Sequence, residues 1–233
     1  MLSTDVPAPL AASGQLLLVV AAGWEDRAAR LQCFERKAAS AAWCREGEAT
    51  SVMLGRAGLA WGRGLHAPDT DAGRHKREGD GRSPAGIFPV TALFGATGPP
   101  PGAGLPWLPA TSNLKCIDDP ASRHYNRIVD QDRVDSVDWA SCDDMLRTDR
   151  RYELGAVVGC NCDPVLPGAG SCIFLHVWAG AGVPTAGCTA MALADMTRVA
   201  GWLDGARSPL LVQLPRETYE RLRGPWGLPD FPA

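Results

Sequence analysis

The stretch from Gly170 to Met191 constrains this 233-residue chain more than any other. It opens with the apolar run Cys172–Leu175, which predicts a short buried strand. That strand delivers His176 at its end. After a loop rich in small residues, Cys188 follows directly behind Gly187. The pattern therefore places a histidine at a strand end and a cysteine behind a glycine turn.

A histidine and a cysteine are the two side chains that thiol nucleophilic catalysis requires. A free thiol is mostly protonated at neutral pH, and a neighbouring imidazole or helix N-terminus lowers its pKa. We predict that Cys188 attacks and that His176 is the general base. Backbone N–H groups of Gly187 and Cys188 are expected to form the oxyanion hole, with Thr185 in the same turn. From spacing alone, a buried structural cysteine beside a strand-end histidine explains the pattern equally well.

The composition predicts one soluble globular domain made mainly of β-strands. The 26 Gly and 19 Pro residues have no tandem period, which indicates many turns between short strands. A net charge of −3 gives no electrostatic reason to expect a nucleic-acid partner. We place the domain at residues 15–215, between an irregular N-terminus (1–14) and an irregular C-terminal tail (216–233).

Periodicity supplies the individual elements. Strands are predicted at Leu16–Ala22, Ala49–Leu54, Ile87–Phe94, Glu153–Gly159 and Pro209–Leu214. Apolar residues at intervals of three and four predict helices over Asp138–Tyr152 and Ala192–Leu203. Trp24–Arg36 fits either a helix or a strand, and the alanine-rich Ala38–Ala42 favours a helix.

The eight cysteines lack the spacing of a metal site, because no CxxC pair is present. We therefore predict no metal, and we expect most of the thiols to be small buried side chains, with one or two disulfides if the protein is exported. The first 14 residues carry no basic segment, so no signal sequence is visible. Leu16–Ala22 is too short to span a membrane and is predicted to be the first core strand.

Two polar clusters provide further candidate site residues. Arg74–Phe88 is either a solvated charged turn or a loop that offers cations to a carboxylate-rich substrate. It lacks the GxxxxGK[ST] pattern, so we exclude nucleotide binding. The second cluster, Asn113–Val129, contains His124, an alternative base to His176. It is the less favoured of the two, because it lies in a polar turn rather than at the end of an apolar strand.

The stretch from Gly170 to Met191 resembles the signature of the YkuD-type L,D-transpeptidase catalytic domain, which is a histidine followed by a loop and then Ser/Thr-x-Gly-Cys. His176, Thr185, Gly187 and Cys188 match it in order. The resemblance extends to Gly55–Trp61, Lys76–Gly86, Asp118–Pro120, Tyr125-Asn126 and Gly170-Ser171. The chain departs from the family pattern at Ala186, where a histidine is usual, and at Thr189–Met191, where an Asn or Arg often follows the cysteine.

The resemblance implies a single-domain β-sandwich with mixed sheets and a groove that holds the Cys–His pair. Such enzymes attack a peptide bond of a peptidoglycan stem and release its terminal residue. An amine of a second stem then resolves the acyl-enzyme, which gives a 3-3 or an L-Ala-linked 1-3 crosslink. The resemblance implies no cofactor, and it places the reaction in the periplasm. It suggests Lys76, Arg82, Tyr125 and Arg127 as ligands for the stem carboxylates.

Three other functions remain compatible with the sequence. Water in place of the acceptor amine makes the enzyme an L,D-carboxypeptidase or a hydrolase that releases proteins from the wall. With an inert Cys188, the domain is a non-catalytic cell-wall-binding module. A papain-like hydrolase is disfavoured, because that fold places its cysteine before its histidine in the chain.

Overall fold

The structure is a computed structural model that describes residues 6–67 and 74–232. Its strands, in chain order, are β1 Gln15–Ala21, β2 Ala28–Glu35, β3 Cys44–Met53, β4 Leu59–Trp61, β5 Ser83–Gly95, β6 Trp107–Pro109, β7 Leu114–Ile117, β8 Ile128–Asp130, β9 Cys142–Asp144, β10 Leu154–Val158, β11 Phe174–Val177, β12 Thr189–Met191 and β13 Leu210–Pro215. The α-helices are α1 Ala8–Ala12, α2 Leu193–Trp202 and α3 Arg216–Trp226.

Eight strands form a closed ring of pairings in the order β10-β11-β12-β3-β2-β1-β13-β5. The ring closes because β5 is long enough to serve two partners. Its residues 86–89 pair with β13, and its residues 90–95 pair with β10. The ring is mixed, since β1 runs parallel to β13 and β11 runs parallel to β12, whereas its other pairs are antiparallel.

The core is built around β1, in which all seven residues are buried. A strand covered on both faces needs a continuous apolar run rather than an alternating one, which is what Leu16–Ala21 provides. Helix α3 packs against β1 and β13, and α2 packs against β10 and β11. The strand that carries His176 is therefore backed by a helix.

A second, three-stranded sheet in the order β8-β7-β9 lies beside the ring. The disulfide Cys116–Cys172 joins β7 to the segment that leads into β11. Around it, Phe94, Met145, Tyr152 and Phe174 form a buried cluster that also contains Cys188. The small sheet is thus fixed covalently next to the candidate nucleophile.

The expectation of a single domain, mainly β, with mixed sheets is confirmed. Strands β1, β10 and β13 and helix α2 lie close to their predicted positions, and the ambiguous Trp24–Arg36 contains strand β2. None of the helices among the described residues is long and apolar enough to cross a membrane.

Three local predictions were wrong. Asp138–Tyr152 is not a helix, because Cys142–Asp144 pair with β7 and the remainder turns. Ala38–Ala42 is also a turn, which connects β2 to β3. The segment predicted to be an irregular tail contains α3, in which Tyr219 and Leu222 supply the buried face.

The prolines that suggested an irregular tail do not prevent α3. Pro215 precedes its first turn, and Pro225 lies in its last. A proline at the N-terminal end of a helix costs little, because the N–H that it lacks would have no acceptor within the helix, whereas Pro225 removes one hydrogen bond from the last turn. The predicted irregular N-terminus contains the short helix α1, and residues 1–5 lie outside the described part of the chain.

Candidate active site

A cavity of about 360 Å³ is lined by both Cys188 and His176. His176 lies on β11 opposite Ala190 of β12, and Cys188 immediately precedes β12. Because the two strands are parallel neighbours, their register brings both side chains to the same cavity.

The backbone of Cys188 is held by two hydroxyl groups. Its carbonyl oxygen accepts hydrogen bonds from Ser83 Oγ at 2.9 Å and from Thr185 Oγ1 at 2.6 Å. Ser83 Oγ in turn accepts the N–H of Gly55 at 2.9 Å, which links the turn to the segment after β3. The backbone of Cys188 is therefore held by two separate parts of the chain.

The thiol of Cys188 is buried and contacts only backbone groups by hydrogen bonding among the described residues. Its Sγ accepts the N–H of Phe174 at 3.4 Å and donates to the carbonyl of Cys172 at 3.5 Å. Burial raises the pKa of Cys188 to about 12. This direction is contrary to the expectation that a neighbouring imidazole or helix N-terminus lowers the pKa of Cys188. Cys188 is also not at the N-terminus of a helix, because strand β12 lies between it and the start of α2.

The imidazole of His176 is neutral and has a fixed tautomer. Nδ1 lies 2.8 Å from the carbonyl oxygen of Val177, which can only accept, so Nδ1 carries the proton and Nε2 has the free lone pair. Burial lowers the pKa of His176 to about 4. The ring of Tyr152 packs edge-on against the imidazole, with 5.3 Å between centroids.

The turn before Cys188 is closed by the side chain of Thr185. Its Oγ1 accepts the N–H of Gly187 at 3.1 Å and donates to the carbonyl of Cys188. The N–H of Gly187 was expected to be an oxyanion donor, but it is already engaged by this hydroxyl. A Cβ at Gly187 would lie 3.1 Å from the carbonyl oxygen of Arg82, a tight contact that only a small shift of the backbone would relieve.

Of the four residues expected to hold substrate carboxylates, Lys76 lines the cavity and three do not. Arg82 donates to Glu25 at 2.9 Å and to the carbonyl of Leu59 at 3.0 Å. Tyr125 is buried and donates to the carboxylate of Glu78, which also accepts from Ser171 Oγ. Arg127 is exposed outside the cavity. None of these three side chains lines the cavity that contains Cys188 and His176.

The alternative base, His124, also lies outside the cavity. It packs against Trp139, with ring centroids 5.7 Å apart, and its Nε2 accepts from Arg123. Within residues 6–67 and 74–232, no group of three or more His, Cys, Asp or Glu side chains could hold a metal ion.

Several cavity residues escaped the sequence-based prediction, namely Arg56, Asp143, Arg147, Arg151 and Tyr152. The carboxylate of Asp149 bridges Arg147 and Arg151, with an N–O distance of 2.7 Å to each. The hydroxyl of Tyr152 donates to Asp143 at 2.9 Å. Burial raises the pKa of the Asp143 carboxyl. The many arginines and aspartates within Asp138–Tyr152 were a possible signal of a binding site. The prediction of a helix there led us to interpret them as a solvated helix face.

Arg56 differs from the other cavity cations. Its backbone N–H donates to the carbonyl of Thr185 at 2.9 Å, which places it beside the Cys188 turn. Its side chain is exposed and has no ion pair among the described residues. It is therefore a cation that is free to bind an anionic ligand.

Comparisons with known proteins identify a matching family. The family model of the L,D-transpeptidase catalytic domain, YkuD, matches residues 36–213. Among solved structures, the helical cell shape determining protein Pgp2 from Campylobacter jejuni aligns with 12% identity and a TM-score of 0.40, over 87% of this chain and 48% of that one. The chain thus spans about half the length of that protein. No match was found among curated proteins. Because the family model covers most of the sequence, the chain belongs to the YkuD family of L,D-transpeptidase catalytic domains.

Proposed function

We propose that this protein is a peptidoglycan L,D-transpeptidase that works through an acyl-enzyme on Cys188. One observation carries the proposal. In a chain of this family, the thiol of Cys188 and an imidazole with a free Nε2 line one cavity.

The neutral state of both groups determines the order of proton transfer. As Sγ attacks the carbonyl carbon of the donor stem, its proton passes to Nε2 of His176, and the carbonyl π electrons move to oxygen. Collapse of the tetrahedral intermediate breaks the C–N bond, and Nε2–H gives the proton to the leaving amine. No preformed thiolate is required, because the base acts during the attack.

The second half of the reaction repeats these steps with an acceptor. An amine of another stem attacks the thioester and gives its proton to Nε2. The C–S bond breaks, the new amide forms, and the proton returns to Sγ. The acceptor is the side-chain amine of a second diaminopimelate. A donor acyl group from stem position three then gives a 3-3 crosslink, and one from L-Ala at position one gives a 1-3 crosslink.

Peptidoglycan stems carry several carboxylates, and Arg56 is the residue best placed to bind one. Its guanidinium lacks an ion pair among the described residues, whereas the other cavity cations are paired with Asp80, Asp143 or Asp149. An arginine can hold a carboxylate with two parallel hydrogen bonds. We assign Arg56 to the donor stem, in place of Arg82 and Arg127.

The proposed location is the periplasm, where the substrate lies. The disulfide between Cys116 and Cys172 supports this location, because disulfides persist in oxidising compartments and are rare in the cytosol. Fractionation of cells tests the point, and a purely cytosolic protein would contradict it.

The test of function compares peptidoglycan from cells that express the wild type with peptidoglycan from cells that express Cys188→Ala. We expect L,D-crosslinked muropeptides to disappear in the variant. Shortened stems without crosslinks in the wild type would instead indicate a carboxypeptidase, and released wall protein would indicate a hydrolase. Identical profiles would refute the proposal.

A second test separates the enzyme from a non-catalytic binding module. Purified protein is incubated with a carbapenem and analysed by intact-mass and peptide mass spectrometry. An enzyme with an active Cys188 gains one covalent adduct on that residue. An unmodified Cys188 would favour the binding module.

A further inference from the structure

The side chain of Lys76 is a buried cation beside the nucleophile turn. Its relative exposure is 4%, yet it lines the cavity together with Cys188 and Gly187. Its Nζ lies 3.6 Å from the point that a Cβ on Gly187 would occupy. The ammonium is therefore adjacent to the backbone that precedes the attacking sulfur.

The hydrogen bonds of this ammonium are incomplete. A lysine has three N–H donors. Among the described residues, Nζ donates to Asp80 Oδ1 at 2.7 Å and to the carbonyl of Arg77 at 3.3 Å. The third N–H has no acceptor within residues 6–67 and 74–232. A buried donor without an acceptor is costly, so a group that binds in the cavity is its natural partner.

The oxyanion of the reaction needs such a donor. Two backbone N–H groups commonly stabilise the oxygen of a tetrahedral intermediate. Here the N–H of Gly187 already donates to Thr185 Oγ1. The turn before Cys188 therefore lacks one of the two N–H donors that an oxyanion needs, and Lys76 lies beside Gly187, where that donor is missing.

We propose that the ammonium of Lys76 donates its third N–H to the oxyanion that forms when Cys188 attacks a substrate carbonyl. The inference rests on the proposed acyl-transfer function. It changes the expected role of Lys76, from a ligand for a substrate carboxylate to a catalytic residue that contacts the reacting carbonyl oxygen.

The charge balance of the step explains why a cation suits this position. The thiol and imidazole begin neutral, and attack creates an imidazolium and an oxyanion. A preorganised donor in a site with little water stabilises the new negative charge strongly. Asp80 does not cancel the ammonium fully, because its carboxylate also accepts the N–H groups of Arg77 and Arg82 at 2.8 and 2.9 Å.

The experiment compares two reactions of Cys188 in the same variants. Acylation by a carbapenem passes through an oxyanion, whereas alkylation by iodoacetamide does not. The variants are Lys76→Met, which removes the charge and the donors at similar length, and Asp80→Asn, which keeps the ammonium but weakens its ion pair. Arg77→Met is the matched control, since it removes an exposed cation from the same loop.

In Lys76→Met we expect the acylation rate constant to fall about 100- to 1,000-fold, the usual effect of losing one oxyanion donor. The carbapenem concentration at half-saturation and the alkylation rate should change much less. Asp80→Asn should keep most of the acylation rate, and Arg77→Met should resemble the wild type.

Three results would overturn the inference. The first is acylation of Lys76→Met at the wild-type rate. The second is an equal loss of acylation and alkylation, accompanied by a lower melting temperature, which would indicate a structural role. The third is a wild type that no carbapenem acylates. That result would also remove the proposed function, whereas the first two leave it standing.

Discussion

Nδ1 of His176 lies 2.8 Å from the carbonyl oxygen of the next residue, Val177, so the backbone of β11 itself orients the imidazole. A neighbouring carbonyl cannot be lost by side-chain substitution at Val177. The tautomer that leaves Nε2 free is therefore set by the local backbone. No carboxylate is needed to orient this imidazole.

The buried imidazole makes stability dependent on pH on the acid side. The pKa of His176 falls from 6.5 in the unfolded chain to about 4 in the folded protein. Because the folded pKa is the lower one, the contribution is complete above pH 6.5 and is lost as the pH falls towards 4. We expect this loss to reach about 3 kcal/mol. Urea unfolding of the wild type and of His176→Asn across this range measures it, and parallel curves would contradict the prediction.

The thiol of Cys188 should react slowly with alkylating agents at neutral pH. Burial raises its pKa from 9.0 to about 12, so the thiolate is scarce in the resting protein. We expect the rate with iodoacetamide to rise about tenfold per pH unit well above neutrality, since the thiolate is the reactive form. Peptide mass spectrometry follows Cys188 with the exposed Cys44 as an internal reference. A rate that levels off near neutral pH would show a preformed thiolate.

Removal of Arg56 should weaken the binding of anionic substrates. We expect Arg56→Ala to raise the Kd of a stem tetrapeptide about tenfold or more, because a charge-assisted pair contributes roughly 1.5–3 kcal/mol. Binding is measured by calorimetry in a Cys188→Ala background, which prevents turnover. Arg45→Ala removes an exposed cation on β3 as a control. Equal affinity of Arg56→Ala and its parent would refute the assignment.

Much of the fold was predictable because apolar runs and their period report burial directly. Continuous runs such as Leu16–Ala21 identified core strands, and the stripe after Cys188 identified α2. Asp138–Tyr152 misled because its helical spacing coincided with residues held by pairing to β7 and by the aromatic cluster. Tertiary contacts of this kind leave no periodic signal in the sequence.

The site shows the same limit. The sequence identified Cys188 and His176 as partners, and the structure brings both to one cavity. The sequence did not show that the N–H of Gly187 donates to the hydroxyl of Thr185, or that Arg82 forms an ion pair with Glu25. Hydrogen bonds between distant segments depend on register and side-chain direction, which residue spacing does not encode.

Asn126 should be a strong determinant of stability near the site. Its amide donates to the carbonyls of Cys160 and Asn161 at 2.9 and 2.8 Å and accepts the N–H of Cys172 at 3.0 Å. Its φ of 59° also disfavours residues with a Cβ other than Asn or Asp. We expect Asn126→Ala to cost about 3 kcal/mol in the free energy of unfolding.

Two further variants divide that cost. Asn126→Gly keeps the left-handed backbone without strain, so it should be about 1 kcal/mol more stable than Asn126→Ala if strain contributes. Asn113→Ala removes a half-buried asparagine whose side chain makes a single surface hydrogen bond, to Asp132, and should have little effect. Equal stability of Asn126→Ala and Asn113→Ala would contradict the assigned role.

The disulfide should stabilise the folded state substantially. It links residues separated by 56 positions, and closing a loop of that size removes about 4 kcal/mol of unfolded-state entropy in the chain model. We expect Cys116→Ala/Cys172→Ala to lower the free energy of unfolding by a comparable amount. Dithiothreitol should lower the melting temperature of the wild type but not of the double variant. Insensitivity of the wild type to the reductant would refute the prediction.

The ring of strands has its shortest ladder beside Cys188. Strand β12, which follows Cys188, meets β3 through the single pair Ala190–Met53, whereas β1 meets β2 through seven pairs. The segments on either side of this pair are held by other hydrogen bonds, because the N–H of Thr185 donates to the carbonyl of Leu54 and the N–H of Arg56 donates to the carbonyl of Thr185, both at 2.9 Å. The turn before Cys188, more than the β12–β3 ladder, therefore closes the ring of strands beside the cavity.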